Sequence, residues 1–312
     1  MQPCNPITFQ REWRTEDPSF HATIARYPVL KGYFGDKAPP LLNGEDYQIT
    51  SKVGKGGYGD VYLALNKIDM KHYVMKLDNG RTAPYEIYHL MNEFMFQDQA
   101  HNVLKPKYNV PQPKGFVRME MQPGKHSYMM VSEFCAVVPS VTCSLSMQQA
   151  LNEHARGTPL LTTEEWKVAC AKLIEIAYHL QSFDIYHLDI KPDNVLLQFT
   201  QNCVHPVLID FGLSLRKNSL TSGTVKEPGP DPNKHYPHYG RELFTSHIPL
   251  RTSDLYGVSF IIHQVAERLS LNTVLRMIKE YRKQKPEDRM KHNQLNRSIE
   301  IWFREDMIQN KV

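Results

Sequence analysis

The rhythm of apolar positions changes partway along the chain. From Tyr47 the apolar residues recur in short alternating runs: Tyr47-Gln48-Ile49-Thr50, Val61-Tyr62-Leu63-Ala64-Leu65, His72-Tyr73-Val74-Met75-Lys76-Leu77, and a run from Tyr128 to Cys135. A period of two predicts half-buried strands. One stretch among them, Tyr85 to Gln97, predicts a helix, and His101 to Lys125, polar and rich in proline, predicts loop with short strands. Beyond Cys135 the pattern turns helical. Ser146 to Ala155 predicts a short helix ended by Gly157 and Pro159. Thr162-Thr163-Glu164-Glu165 supplies a cap and an acidic first turn for a long one, Thr163 to Phe183. Its apolar positions Val168, Leu173, Ile176 and Leu180 predict burial. Two further apolar runs, Val195-Leu196-Leu197 and Val207-Leu208-Ile209, predict a small hairpin. Leu213 to about Thr252 shows no periodicity. Arg276 to Lys291 alternates in charge sign like a solvated helical face.

Composition adds boundaries rather than identity. At 312 residues, about two compact units is a fair expectation, and 41% hydrophobic with 22% charged residues suits a globular chain. A formal charge of +4 without a dense Lys/Arg block gives no reason to expect nucleic acid as a partner. Five scattered cysteines without a CxxC pair point to a reduced, intracellular compartment, in the cytoplasm or nucleus. No stretch approaches eighteen apolar residues, so no membrane span is expected, and the N-terminus lacks a signal-like apolar run. Residues 1–45 mix prolines and charges with Trp13, Phe20, Tyr27, Tyr33 and Phe34. They are read as an irregular extension packed on the strand-rich part, with a regulatory arm as the alternative.

The chemistry concentrates on two turns flanking the hairpin. His187-Leu188-Asp189-Ile190-Lys191-Pro192-Asp193-Asn194 precedes it, and Asp210-Phe211-Gly212 follows, sixteen residues after Asn194. Asp189 can accept a proton from a hydroxyl nucleophile, Lys191 can neutralise a phosphoryl group in transfer, and Asn194 with Asp210 can hold Mg²⁺. Upstream, glycines at 54, 56 and 59, with Gly57 between, let a turn approach phosphate oxygens closely. Dinucleotide-binding folds share this spacing but continue into a helix, whereas Val61 to Leu65 alternates like a returning strand.

Together these residues resemble the eukaryotic-type protein kinases, serine/threonine-type. The compact chain and the Leu in His-Leu-Asp are also similar to virus-encoded members. The resemblance implies an α+β, two-lobed fold: a small antiparallel sheet with one helix in residues 46–134, a mainly helical lobe in 135–312, and ATP between them. It covers about residues 47–290 as one kinase domain. It implies that Lys76 contacts the nucleotide phosphates, oriented by Glu93, with Glu86 as the competing partner. Gly54, Gly56, Gly57, Gly59, Val61, Val74, Glu133 and Cys135 would line the nucleotide site, the last two through their backbones, and Ser132 would stand at the gate behind adenine. Asp254 would cap the catalytic turn from beneath, and residues 213–252 would form the activation and substrate-binding segment.

Several positions depart from the family pattern. Val74 stands where Ala is usual. Gly240-Arg241-Glu242 replaces the closing Ala-Pro-Glu, with Arg289 as the candidate partner of Glu242. Leu188 replaces an Arg that receives an activation-segment phosphate. His235 and His238 lack ligands at metal-binding spacing. The reaction implied is transfer of the γ-phosphoryl of Mg-ATP to serine/threonine hydroxyls of a protein substrate. A pseudokinase-like binding module and a small-molecule hydroxyl kinase are the alternatives.

Overall fold

The computed structural model describes residues 18–55, 59–78, 86–122, 125–138, 143–200, 203–216, 236–240, 242–245, 249–250 and 252–309. The chain divides into two compact units, 1–99 with 111–134 and 100–110 with 135–312.

The first unit is built on a six-stranded sheet in the order β1-β5-β6-β4-β3-β2. Its strands are β1 (Leu41–Leu42), β2 (Tyr47–Lys55), β3 (Gly59–Asn66), β4 (His72–Asp78), β5 (Pro113–Gln122) and β6 (Lys125–Glu133). All pairings are antiparallel except β1 with β5. The alternation read in the sequence puts Tyr62, Ala64, Tyr73, Met75, Leu77, Met129 and Val131 into one core cluster, which Val117 and Met119 of β5 join.

Two expectations for this unit need correction. Residues 18–34 are not irregular but form α1 (Pro18–Arg26) and α2 (Pro28–Phe34), each opening on a proline preset for a helical first turn. Phe20 and Leu30 are fully buried, and the Phe20 ring packs 5.3 Å from Phe116 and 5.2 Å from Tyr128. Helices of nine and seven residues are too short to show a period, so only their burial reveals them. The second correction concerns 101–125. Helix α3 (Glu86–Leu104) runs past Gln97, with Ala100 and Leu104 buried, and β5 is one ten-residue strand where loop with short strands was expected.

The second unit holds α4 (Met147–Ala155), α5 (Thr163–Ser182), a 3-10 turn (Pro192–Asn194), β7 (Val195–Thr200), β8 (Cys203–Leu208), α6 (Glu242–Thr245), α7 (Ser253–Arg268), α8 (Asn272–Lys283) and α9 (His292–Gln309). Both α4 and α5 start with reciprocal capping boxes, Ser146 with Gln149 and Thr162 with Glu165. Trp166, Leu173, Ile176 and Leu180 of α5 are buried, as is most of α7. The Asp306 carboxylate on α9 accepts the Thr273 and Val274 amides at 2.9 Å each, so α9 caps the first turn of α8. The charged run 276–291 is not a single solvated face. The helix stops at Lys283, Arg289 is buried, and Arg282 turns inward over the Tyr256 and Phe260 rings.

Candidate active site

In the first unit, strand register delivers the cation. Lys76 lies in the middle of β4, opposite Val61 on β3 and Met130 on β6. Its ammonium donates to both oxygens of Glu93 on α3, at 2.8 and 2.7 Å. With side chains only 12% and 5% exposed, this ion pair is shielded from water, where Coulomb attraction is much stronger than at a surface. Gly54 pairs with Val61 across the β2–β3 hairpin, so the glycine-rich turn joins two strands. Gly56 and Gly57 lie outside the described residues, and Gly59 is buried. Val74, half-buried on β4, is opposite Ser132 on β6.

Behind Ser132 stands a polar contact that no sequence signal revealed. Gln97 Nε2 donates to Ser132 Oγ at 3.1 Å and to Pro111 O at 2.8 Å. The Glu133 N–H donates to Gln112 O at 3.0 Å, and its carboxylate pairs with Lys114 at 2.8 Å. Cys135 is buried at the start of the second unit's long run.

In the second unit, the β7–β8 register pairs Val195 with Leu208, which brings the two chemistry-bearing turns to the same end of the hairpin. The Asp189 carboxylate is held from three sides. Lys191 Nζ donates to Oδ1 and Oδ2 at 3.0 and 2.8 Å, Asn194 Nδ2 to Oδ2 at 2.7 Å, and His238 Nε2 to Oδ1 at 2.8 Å. Burial alone would push Asp189 up. The His238 hydrogen bond and the Lys191 charge outweigh it and hold the carboxyl below the ordinary aspartate range.

The turn beneath this carboxylate is strained and explicitly supported. Leu188 adopts φ 63° and Asp210 φ 64°, a left-handed conformation unusual for a leucine. The buried Asp254 carboxylate accepts the His187 and Leu188 amides at 2.9 and 2.8 Å, which locks the turn in that shape. Burial raises the Asp254 carboxyl, opposed by His187 and the two amides. Burial also lowers His187 and keeps it neutral. Its Nε2–H donates to Ile209 O at 3.0 Å while Nδ1 accepts the Asp189 amide at 3.2 Å, so one tautomer serves both turns. Leu188 itself packs with Tyr186, Tyr239 and Leu243, with Leu213, Leu215 and Tyr236 alongside.

The turn from 236 to 245 is anchored by arginines. Glu242 Oε1 accepts Arg289 Nη1 at 2.8 Å and Ser253 Oγ at 3.0 Å, all buried. Arg282 Nη2 donates to Pro237 O at 2.5 Å. Ser219, Thr221, Ser222, Thr224, His235 and Arg241 lie outside the described residues. The contact of His238 with Asp189 spans 49 residues, and nothing in the local sequence announced it.

The donor set at the second turn suits a small hard cation. Asn194 commits its amide nitrogen to Asp189, through O at 2.9 Å and Oδ2 at 2.7 Å, which leaves its oxygen as the atom that could meet a cation. Asp210 adds a half-buried carboxylate. Two oxygen donors completed by substrate phosphates is the usual mode of Mg²⁺ binding.

Residues 47–228, more than half of the chain, match the family model described as protein kinase domain, and the chain belongs to that family. The chain is 27% identical over 205 residues to the membrane-associated tyrosine- and threonine-specific cdc2-inhibitory kinase wee-1.3 of Caenorhabditis briggsae, which covers 64% of this chain and 27% of that protein. It is 29% identical over 179 residues to the serine/threonine-protein kinase fused of Drosophila melanogaster, covering 57% of this chain and 19% of that protein. The chain thus spans about a quarter or less of the length of these relatives. The two-lobed α+β kinase fold expected from the sequence is the fold of this family. Among the described residues, no helix is long and apolar enough to cross a membrane.

Proposed function

We propose that this chain transfers the γ-phosphoryl group of Mg-ATP to serine or threonine hydroxyls of protein substrates, in an intracellular compartment. The observation that carries this reading is the Asp189 carboxylate, kept ionised beside Lys191 and Asn194 on a strained, capped turn. Asp189 accepts the proton of the attacking hydroxyl as its oxygen bonds to the γ-phosphorus. The bond to the β–γ bridging oxygen breaks and ADP departs. Lys191 Nζ neutralises charge on the phosphoryl oxygens, and Lys76, held by Glu93, binds the α- and β-phosphates. Asn194 and Asp210 would hold Mg²⁺, which neutralises the phosphate oxygens when bound. The Lys two residues after Asp189 resembles serine/threonine-specific members and supports that choice of hydroxyl. Glu133 and Cys135 would take adenine through their backbones, with Val61 and Val74 against the ring.

The test is incubation with labelled ATP and Mg²⁺ against casein-like protein and against sugar and choline panels, followed by phosphoamino-acid analysis. Label on serine or threonine is the expected result. Label only on tyrosine would move the specificity, label only on small hydroxyl compounds would move the substrate class, and nucleotide binding without transfer would make the chain a binding module.

A further inference from the structure

The Asp189 carboxylate is fully occupied. An ionised carboxylate offers about four lone-pair positions, and here four donor contacts fill them: two from Lys191, one from Asn194 and one from His238. A substrate hydroxyl that is to hand its proton to this group needs one of those positions vacated. Of the three donors, Lys191 is the most able to move. Its side chain is 32% exposed on a flexible stem and is the group that a phosphate would draw away. His238 is 7% exposed and wedged, its ring edge-on to Tyr239 at 4.4 Å. The peptide that carries it is tied by Arg282 to Pro237 O.

We propose, resting on the phosphoryl-transfer reading above, that His238 is a positioning residue for the catalytic base. Its Nε2–H holds Asp189 Oδ1 and fixes the carboxylate's orientation when Lys191 turns to the phosphoryl group. One lone pair on each oxygen is then released, and the substrate hydroxyl takes one of them. The imidazole acts only through Asp189. It donates to a carboxylate that keeps its rotamer, and the proton taken from the substrate stays on Asp189. The arrangement also makes the base dependent on the Tyr236–Gly240 turn, because the same peptide presents the donor.

The experiment compares His238→Ala, His238→Phe and His238→Gln in the full chain under steady-state transfer, with folding monitored by thermal midpoint. Phe keeps a ring and removes the donor. Gln places an amide Nε2–H at a similar reach. Loss of one charge-assisted hydrogen bond to the base predicts kcat reduced about ten- to hundredfold in the Ala and Phe variants. KM for ATP should stay within about threefold, and Gln should recover kcat to within about threefold of wild type. Ala and Phe variants as active as wild type would overturn the proposal, as would a folded Gln variant as impaired as Phe. Imidazole nitrogen spectra of the wild type and Asp189→Asn give a reading without touching residue 238. The Nε2–H resonance of His238 should shift when the carboxylate becomes an amide, and an unmoved resonance would sink the contact. A wild-type chain that transfers to no acceptor would overturn the phosphoryl-transfer reading instead, and the nitrogen spectra would still decide the contact.

Discussion

Lys76 and Asp189, the two charges proposed to act in phosphoryl transfer, are both largely shielded from water, yet they are held in different ways. Lys76 is held by a two-oxygen ion pair with Glu93, reached from a strand to a helix. Asp189 has three partners, two of them on its own turn within five residues. An ion pair of this kind fails together, because removing either residue takes the main opposite charge from the other in a water-poor place. A three-partner arrangement loses function by degrees, since each donor contributes part of the orientation. The contrast teaches that the first half-site should behave as a unit under mutation, and that the second should separate into contributions.

The largest effect is expected at Asp189, the proposed base. Asp189→Asn should lower phosphoryl transfer by roughly 10²–10⁴, the range of a positioned general base, while nucleotide affinity stays within about threefold. Retention of more than about a tenth of the activity would show that another group takes the proton.

Next comes the unit behaviour of the first half-site. Lys76→Ala and Glu93→Ala should each lower transfer by about tenfold or more, and the double variant should fall far short of the product of the two. Strict additivity in that cycle would dissolve the contrast drawn above.

One buried and three half-buried histidines give a smaller, pH-dependent effect. His187, His205, His263 and His292 are all lowered, with burial as the leading cause. Above their ordinary value of about 6.5 neither state carries the proton, and stability is complete. As pH falls below that value the unfolded chain binds protons that the folded chain refuses, so stability declines. Asp254, raised by burial, carries the opposite sign, one group against four. The thermal midpoint should therefore drop between pH 7.5 and 5.5, and His263→Gln should make that drop shallower. A midpoint flat across the window would count against imidazoles held neutral by the fold.

The smallest effect is expected at the serines and threonines between 219 and 224, because Leu188 offers no charge to a phosphate there. Leu188 meets Tyr239 and Leu243 through apolar contact, so the 236–245 turn is tied to the catalytic turn without a phosphate. Changing Ser219, Thr221, Ser222 and Thr224 together to Ala should alter specific activity by less than about threefold, under half of the 1.4 kcal/mol that a tenfold change represents. A tenfold fall, restored by acidic replacements, would reveal another cation acting as receiver.

The parts legible in the sequence were those whose causes lie within a few residues. The hairpin of β2 and β3, the capped start of α5, and the grouping of Asp189, Lys191 and Asn194 all follow from local alternation, caps and turn chemistry. The pairing of Lys76 with Glu93 over Glu86 came from resemblance, and the β4 and α3 packing supplies the physical contact. Other features were decided by the tertiary structure alone. Residues 18–34 became helices because Phe20 and Leu30 found a place to be buried, not because of any period of their own. Gln97 reached Ser132 across 35 residues of chain, whereas the Asp254 cap on the His187 and Leu188 amides had been expected from the resemblance. His238 filled the last position on Asp189 across 49 residues of chain. Period and turn chemistry are written along the backbone, whereas a buried carboxylate or amide takes whichever donor the packed chain brings within about 3 Å.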